Sequence, residues 1–216
     1  MIRPRSHIVL ALLLARAAVP PVATAEEAVA IETVTVVGKR PEPLQQAAAA
    51  VSVISAAQLE AAVAFDLGDA LYREPGVSVP RDPQRFGETG ITVRGLGGNR
   101  VLVETDGVPA AKAFAIGSFS NTGREFADLE LVSRIELLRG PASALYGSDA
   151  IAGVLSMTTL DPTDLLGSHG EASLRARVGY SGDDGSLLAG VTGAWRAAAV
   201  EGLVGYTHRS GGERDH

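Results

Sequence analysis

The stretch Leu137–Gly153, LLRGPASALYGSDAIAG, places a proline and three glycines between two apolar runs. Charged and apolar residues alternate over 134–139 and predict a short strand. Pro141 suits the first position of a helix, since it has no N–H to leave unpaired there, and Gly147 can end the one or two turns of 142–146. With a further strand over 151–159, the sequence predicts a strand, a tight helical turn and a strand. Local rules leave open whether this unit is only a compact connector.

Composition limits the class of protein. The 216 residues carry a formal net charge of −6, are 46% hydrophobic and include 25 glycines, which is enough for one ordinary globular domain. The acidic balance argues against a general nucleic-acid binder, which would show a basic stripe. The lack of cysteine excludes disulfides and thiolate metal sites, and it is compatible with an oxidising periplasm.

No catalytic or nucleotide-binding constellation is present. The four histidines (His7, His169, His208 and His216) are widely spaced, and neither a nucleophile–base pair nor a cluster of metal ligands stands out. The run Gly95–Gly98 lacks the third glycine of a dinucleotide fingerprint, and no helix pattern follows it. We therefore predict that the chain is not an enzyme and carries no cofactor and no metal.

The N-terminus has the pattern of a secretory signal peptide over residues 1–25. Arg3 and Arg5 precede an apolar run from Ile8 to Val19, and Ala23–Ala25 has the small-x-small form of a cleavage site. The run is short for a membrane span, and an uncleaved anchor is the alternative.

Residues 26–50 have the composition of a flexible arm, with prolines at 41 and 43 and a run of alanines at its end. Within it, 31–38 is a β-prone patch with β-branched residues at alternating positions. A strand without a partner of its own is suited to pairing with the sheet edge of another protein. The alternative is a strand of this protein's own fold.

Between 51 and 164 the pattern mixes helices and strands. We expect strands over 51–54, 91–94 and 100–104, and short helices over 56–63, 67–73 and 125–131. Ser55 and Gln58 have the form of a capping box, Asp66 suits an N-cap, and Asp106-Gly107 predicts a hairpin turn. Polar loops fill 80–90 and 109–123.

After Asp164 three segments of about ten residues alternate between apolar and polar or small residues. Their apolar positions are Ala172, Leu174, Ala176, Val178 and Tyr180; then Leu187, Ala189, Val191 and Trp195; then Val200, Val204 and Tyr206. This pattern is typical of membrane β-barrels, and a soluble antiparallel sheet with one wet face is the alternative. Three strands cannot close a barrel, so the sequence resembles the front part of something longer.

Taken in order, ETVTVVG, DALYREPGV, ITVRGLGGNRVLVETDGVP, RIELLRGPASALYGSDAIAGVLSMTT and the amphipathic segments resemble a TonB-dependent outer-membrane receptor. The wording of the long motif is most similar to haem and haemoglobin receptors, then to cobalamin receptors. The resemblance implies an α+β plug domain followed by the first antiparallel strands of a truncated outer-membrane β-barrel, of about 22 strands when complete. It divides the chain into 1–25 signal peptide, 26–50 arm, 51–164 plug and 165–216 first strands.

The resemblance also implies a function and its partners. We expect active uptake of a scarce iron-containing nutrient, haem or a siderophore, across the cell outer membrane. Cobalamin or another metal chelate, or a stand-alone periplasmic plug-like binding module, are the alternatives. The implied partners are TonB of the inner-membrane energy-transducing complex, the iron-chelate or haem-type substrate and outer-membrane lipid, with no nucleic acid.

The resemblance assigns roles to particular residues. The TonB box comprises Glu32, Thr33, Val34, Thr35, Val36 and Val37. Arg94 and Arg139 match plug arginines expected to pair with glutamates of the barrel wall, with pairing inside the plug as the alternative. The substrate-facing loops, assigned by position, contribute Arg81, Arg85, Phe86, Lys112, Phe114, Phe119 and Asn121. No histidine lies between Glu26 and Asp164, so a haem ligand from a plug loop is not expected.

Overall fold

The computed structural model describes residues 33–36, 39–47, 49–82, 87–88, 90–112, 115–116, 120–121, 128–182 and 185–211. The predicted signal peptide, Glu32, Val37 and residues 125–127 of the predicted helix over 125–131 lie outside these residues; the described end of that helix is a 3-10 turn, Leu129–Leu131. Among the residues described, no helix is long and apolar enough to cross a membrane.

The helices are short and the plug strands vary from two to eight residues. The strands are β1 Thr33–Val34, β2 Glu42–Pro43, β3 Val51–Ser55, β4 Val77–Ser78, β5 Arg81–Asp82, β6 Gly87–Glu88, β7 Thr92–Val93, β8 Val101–Thr105, β9 Val108–Pro109, β10 Ala115–Ile116, β11 Ser120–Asn121, β12 Val132–Arg139, β13 Gly153–Thr159, β14 Ala172–Tyr180, β15 Leu187–Ala197 and β16 Val200–Ser210. The α-helices are α1 Ala56–Ala61, α2 Leu67–Leu71, α3 Ser143–Tyr146 and α4 Pro162–Leu166, and 3-10 turns cover Leu44–Gln46, Gly98–Arg100 and Leu129–Leu131.

The quoted stretch forms the centre of the main sheet. Its strands β12 and β13 pair antiparallel and are joined by α3, as the sequence predicts. The sheet order is β3-β12-β13-β8-β9, with β8 parallel to β13. The turn closes on itself through a bond from the Ala142 N–H to the Ala150 carbonyl, 2.9 Å. Pro141 precedes the helix rather than starting it, because Ala142 has φ −129° and stands at the N-cap.

Local capping signals set the first two helices. At α1, Ser55 and Gln58 form the predicted capping box, and at α2 the side chain of Asp66 accepts from the Asp69 N–H at 2.8 Å. These helices cover one face of the sheet, where Leu59, Leu67 and Leu71 pack against Ile135 and Leu137. The other face carries a smaller cluster of Val36, Leu102, Leu138, Ala142, Ala150 and Val154.

Strands β14, β15 and β16 form a separate antiparallel meander in which residues point alternately towards the plug and away from it. On the outer face Val178, Val204 and Tyr206 are 75%, 62% and 67% exposed. On the inner face Leu188, Thr192 and Ala194 are buried. The predicted alternation is confirmed, and the apolar side faces away from the rest of the protein.

Part of the N-terminal arm agrees with the alternative expectation, a strand of this protein's own fold. Thr33–Val34 pairs antiparallel with Glu42–Pro43, and Val34 is fully buried. The β-prone patch is therefore a short strand folded against the plug at these positions. Composition alone suggested a flexible arm, because the groups that hold it lie about a hundred residues further along the chain.

Candidate functional site

The N-terminal segment, Thr33–Val36, is held by a single carboxylate. Glu136 Oε2 accepts hydrogen bonds from the Thr35 N–H at 2.7 Å, the Val36 N–H at 2.9 Å and the Thr35 hydroxyl at 3.1 Å. Glu136 projects from the middle of β12 and is 1% exposed. Two successive backbone donors on one buried carboxylate are charge-assisted bonds of the stronger kind, so the contact fixes the path of the N-terminal segment.

Apolar packing completes this contact. Val36 is 1% exposed and lies among Ala142, Ala150 and Leu138, so it packs directly on the turn of the quoted stretch. Just beyond it, Lys39 Nζ lies 4.5 Å from the centre of the Tyr146 ring. Burial, with the nearby charges of Glu104 and Glu136 adding to it, raises the pKa of Tyr146 to about 12. This phenol is therefore neutral at physiological pH beside the lysine.

Two acidic groups are buried on this face of the sheet, and they have different partners. Glu104, 6% exposed, accepts from the Ser156 hydroxyl at 2.9 Å. The second oxygen of Glu136 lies 3.2 Å from Arg134 Nε, a charge contact without hydrogen-bond geometry. Only Glu136 of the two has a hydrogen bond to the N-terminal segment among the residues described.

The two arginines singled out by sequence have different surroundings. Arg139 Nη1 lies 3.0 Å from Glu74 Oε2, an ion pair within the plug, and both side chains are largely buried. Arg94 is exposed, has φ 51° and donates its backbone N–H to the Gly76 carbonyl. The structure thus gives Arg139 the alternative partner, inside the plug, and pairing of Arg94 with the barrel wall stays a prediction.

In the ion pairs between the plug and the strands, the arginines lie on a strand and the glutamates on the plug, which is the reverse of the expected arrangement. Two inward-facing arginines of β14 reach plug glutamates: Arg175 Nη1 lies 3.1 Å from Glu60 Oε1, and Arg177 pairs with Glu130. Arg175 also donates to the Glu130 carbonyl. Burial raises the pKa of Glu130, although Arg177 and Arg175 act to lower it. Sequence reasoning missed these pairs, although both arginines were visible on the polar face of an alternating strand.

Shape complementarity accompanies the charges. A Cβ on Gly179 would lie 2.7 Å from the Phe65 ring, and one on Gly205 would lie 2.5 Å from Leu131. The guanidinium of Arg209 lies 5.7 Å from the centre of the same Phe65 ring, a cation–π distance. Glycines of β14 and β16 therefore leave room for plug side chains to fit against the strands.

The two predicted substrate loops both contain short hairpins. Arg81–Asp82 pairs with Gly87–Glu88, and Ala115–Ile116 pairs with Ser120–Asn121. Lys112 is exposed and its Nζ lies 3.0 Å from Asp149 Oδ2, in the turn of the quoted stretch. Arg85, Phe86, Phe114 and Phe119 lie outside the described residues, and of Arg81 and Asn121 only the backbone is described. Within the described part of the chain, no three His, Cys, Asp or Glu residues group as metal ligands.

Comparison with known families decides what the plug is. The family described as TonB-dependent Receptor Plug Domain matches residues 43–154, more than half of the chain. The chain belongs to the TonB-dependent receptors. The family match confirms the recognition made from the motifs. Together with the relatives and solved receptors described below, it also confirms the α+β plug fold followed by barrel-type strands, and a location in the cell outer membrane.

Relatives of this receptor differ in what their names say they bind. It is 36% identical over 145 residues to the vitamin B12 transporter BtuB of Vibrio vulnificus (strain CMCP6), covering 67% of this chain and 23% of that protein. It is 31% identical over 159 residues to a hemin receptor of Yersinia enterocolitica, covering 74% and 22%. These relatives are transport receptors and not enzymes, in line with the prediction from the histidine spacing.

Solved receptors share the fold at low identity. The outer-membrane ferripyoverdine receptor of Pseudomonas aeruginosa, bound to ferripyoverdine, matches with a TM-score of 0.67 at 15% identity, over 82% of this chain and 22% of that chain. A double mutant of the Serratia marcescens hemophore receptor HasR, in complex with HasA and heme, matches with a TM-score of 0.64 at 19% identity, over 74% and 24%. The chain spans about a quarter of the length of the receptors it matches.

Proposed function

We propose that the chain is the N-terminal part of an outer-membrane transporter that takes up an iron-containing nutrient, haem or a ferric siderophore, with energy delivered through TonB. In this proposal residues 1–25 are a cleaved leader, 26–50 carry the TonB-binding segment, 51–164 form the plug and 165–216 begin the barrel wall. A cobalamin or another metal chelate is the alternative cargo.

The observation that carries the proposal is the orientation of β14–β16. Most of their apolar residues face outward and are exposed. Apart from residues such as Leu188, the side towards the plug consists mainly of arginines, glycines and small residues. A soluble sheet packed on a domain buries its apolar face and wets the other. The reverse arrangement is the one used by barrel strands that have lipid outside and a polar interior.

The TonB-binding role of Glu32–Val37 is supported by the backbone chemistry of the N-terminal segment. Thr33–Val34 already forms a strand, although with only a two-residue partner. A segment of alternating β-branched residues that leaves this short pairing can add to the sheet edge of a partner. The partner we propose is the periplasmic domain of TonB.

For the cargo, the names of the relatives include vitamin B12, hemin and ferripyoverdine. The plug contributes no histidine between Glu26 and Asp164, so a haem iron would take its ligands from elsewhere in the complete receptor. The plug loops would supply apolar, aromatic and cationic contacts, from Phe114, Phe119 and Lys112. Such contacts suit a bulky anionic chelate without direct coordination of its metal.

Uptake by the complete gene product tests the proposal. We expect an iron-starved bacterial strain lacking its own receptors to accumulate haem or a ferric siderophore when the gene is supplied and TonB is present, and not when TonB is absent. Val34→Pro removes a backbone donor and should abolish uptake, whereas Val34→Ala keeps the N–H and should retain it. Uptake that is independent of TonB, or uptake of cobalamin only, would overturn the mechanism or the cargo respectively.

A further inference from the structure

We propose that Arg175 and Arg177 form a retention clamp between the plug and the strands β14–β16. The clamp keeps the plug from Glu60 onward bound to these strands while force on the N-terminal segment pulls the chain before Glu60 away from the plug. The inference rests on the proposed function, in which force is applied through the N-terminal segment. It assigns to two strand arginines a positioning role that limits how far the plug can leave.

The clamp joins one strand to two separate parts of the plug. Arg175 binds Glu60 in α1 and the carbonyl of Glu130 in the turn Leu129–Leu131. Arg177 binds the Glu130 carboxylate, and its second terminal nitrogen lies 3.5 Å from the Ala64 carbonyl. Glu130 is 5% exposed. Lifting the plug off the strands would break both ion pairs and the bond to the Glu130 carbonyl together, and hydrogen bonds between charged groups are among the stronger ones in proteins.

Packing strengthens the same region. Phe65 sits against Gly179 and beneath Arg209, and Leu131 sits against Gly205. All of these plug residues follow Glu60 in the chain. Ionic and apolar contacts to the strands thus come from Glu60, Phe65 and the turn Leu129–Leu131, in addition to those of α4, which directly precedes β14.

The chain before Glu60 is held in a different way. Among the residues described, its hydrogen bonds are mainly the two-residue pairing of β1 with β2, the contact of Thr35 and Val36 with Glu136, and the pairing of β3 with β12. Apolar packing of Val36, Ile54 and Leu59 and the contact of Lys39 with Tyr146 add to these bonds, whereas no ion pair to the strands β14–β16 is described before Glu60. Strand β3 lies at the edge of the described sheet, so its bonds can break one after another as the chain is pulled from its N-terminal end. Peeling therefore proceeds to Ser55 and meets the clamp at Glu60.

The order in which these segments leave determines which surface of the plug is exposed. Departure of Thr33–Ser55 uncovers the face of the sheet that carries Glu136, Leu138 and Val154. The remainder of the plug stays on the wall through Arg175 and Arg177. The clamp thereby sets the size of the opening, and the plug is displaced in part.

Pulling on single molecules measures the boundary directly. The complete receptor, reconstituted in lipid, is pulled through a cysteine handle introduced as Glu32→Cys. These 216 residues contain no other cysteine, and any cysteine in the rest of the receptor is replaced by serine. Release of residues 33–60 should extend the chain by roughly 90 Å in a first event, followed by a distinct second force peak. With Arg175→Gln and Arg177→Gln combined, the second peak should be lost and a single event of roughly 460 Å should release the chain as far as β14.

The control removes an arginine that does not touch this region. Arg196 pairs with Glu201 on the neighbouring strand and with carbonyls of Gly167, Ser168 and Gly170, so Arg196→Gln should keep both peaks. If the double variant does not reach the membrane, Glu60→Gln removes one contact at a half-exposed side chain and should lower only the second peak.

Equal traces for wild type and the clamp variants, or release of the whole wild-type plug in one event, would overturn the proposal. The measurement needs neither TonB nor cargo, so absent uptake with two intact peaks would count against the proposed function and leave the clamp standing.

Discussion

At the scale of single residues, Glu136 is the group that holds the N-terminal segment. Its carboxylate serves the backbone N–H groups of Thr35 and Val36 together. Removing an acceptor from buried donors costs on the order of 1–3 kcal/mol. The free energy of opening at these two amides is therefore the quantity that a substitution at Glu136 should change.

Hydrogen exchange on the complete receptor checks this contact. In Glu136→Ala the amides of Thr35 and Val36 should exchange roughly 10- to 100-fold faster, in keeping with the loss of about 1–3 kcal/mol, and Glu136→Gln should show a smaller change because its amide oxygen still accepts. Glu104→Gln is the matched control, since this buried glutamate binds Ser156. Protection of Thr35 and Val36 that is unchanged in Glu136→Ala would contradict the assignment.

Ionisation of Glu130 should make the stability of the folded protein depend on pH. Burial raises its pKa above the ordinary value of 4.5 in spite of Arg177 and Arg175. A carboxyl whose pKa is raised by folding contributes stability that is present below pH 4.5 and is lost as pH rises through the raised pKa. Thermal unfolding from pH 4 to 7 should therefore show a loss of stability in wild type that Glu130→Gln lacks. Glu201→Gln, in the more exposed pair with Arg196, should keep the wild-type slope, and a wild-type slope in Glu130→Gln would refute this account.

Residue-level contacts were predictable only where the partners are close in sequence. The caps formed by Ser55 with Gln58 and by Asp66 with Asp69 follow from a spacing of three residues. The bond from Thr35 to Glu136 spans 101 positions and that from Arg177 to Glu130 spans 47. No local pattern contains such pairs, because they are created by the sheet and by the strands that surround it.

At the scale of elements, the pairing of β12 with β13 depends on a glycine. Gly153 faces Arg139 in the register, and a Cβ there would lie 2.4 Å from the carbonyl oxygen of Leu138. Backbone must move to admit a methyl group, so Gly153→Ala should destabilise the protein by about 1–3 kcal/mol.

Chemical unfolding of the two alanine variants measures this effect. Gly190→Ala is the matched control, since its nearest neighbours would be 3.6 Å away, at ordinary contact distance, and it should change stability little. A Gly153→Ala protein as stable as the control would show that the two strands are free to separate slightly.

Elements were predicted well where one stretch of sequence contains the whole unit. The strand, turn and strand of the quoted stretch, the hairpin at Asp106-Gly107 and the three long strands all have local signals, and all are present. For the arm, the strand at Thr33–Val34 agrees with the alternative given from sequence, and local rules could not favour it because the strand is completed by β2 and Glu136. Strands over 91–94 and 151–159 proved shorter, at Thr92–Val93 and Gly153–Thr159.

At the scale of the whole molecule, the surroundings of the outer face of β14–β16 distinguish a barrel wall in a membrane from a soluble sheet. Val204 lies on that face and is 62% exposed. If the face meets lipid, Val204→Lys should cost about 2–4 kcal/mol near the bilayer centre and reduce the amount of folded receptor in the outer membrane. A soluble sheet would tolerate the lysine.

The measurement is the amount of folded, heat-resistant receptor in isolated outer membranes. Val204→Leu preserves the apolar character and should match wild type. Equal amounts of Val204→Lys and Val204→Leu would argue for a water-facing surface and against a barrel wall.

The turn at Gly140–Ala152 contacts two parts of the protein, the start of the loop at Lys112 and the N-terminal segment. Asp149 holds Lys112 at the base of one loop, and its neighbour Ala150, which is fully buried, packs with Val36 of the N-terminal segment. A larger side chain at Ala150 would push on both at once. We therefore expect substitutions in the turn to be tolerated less well than substitutions in the loop beyond Lys112, because each change in the turn must be compatible with Lys112 and with the N-terminal segment together.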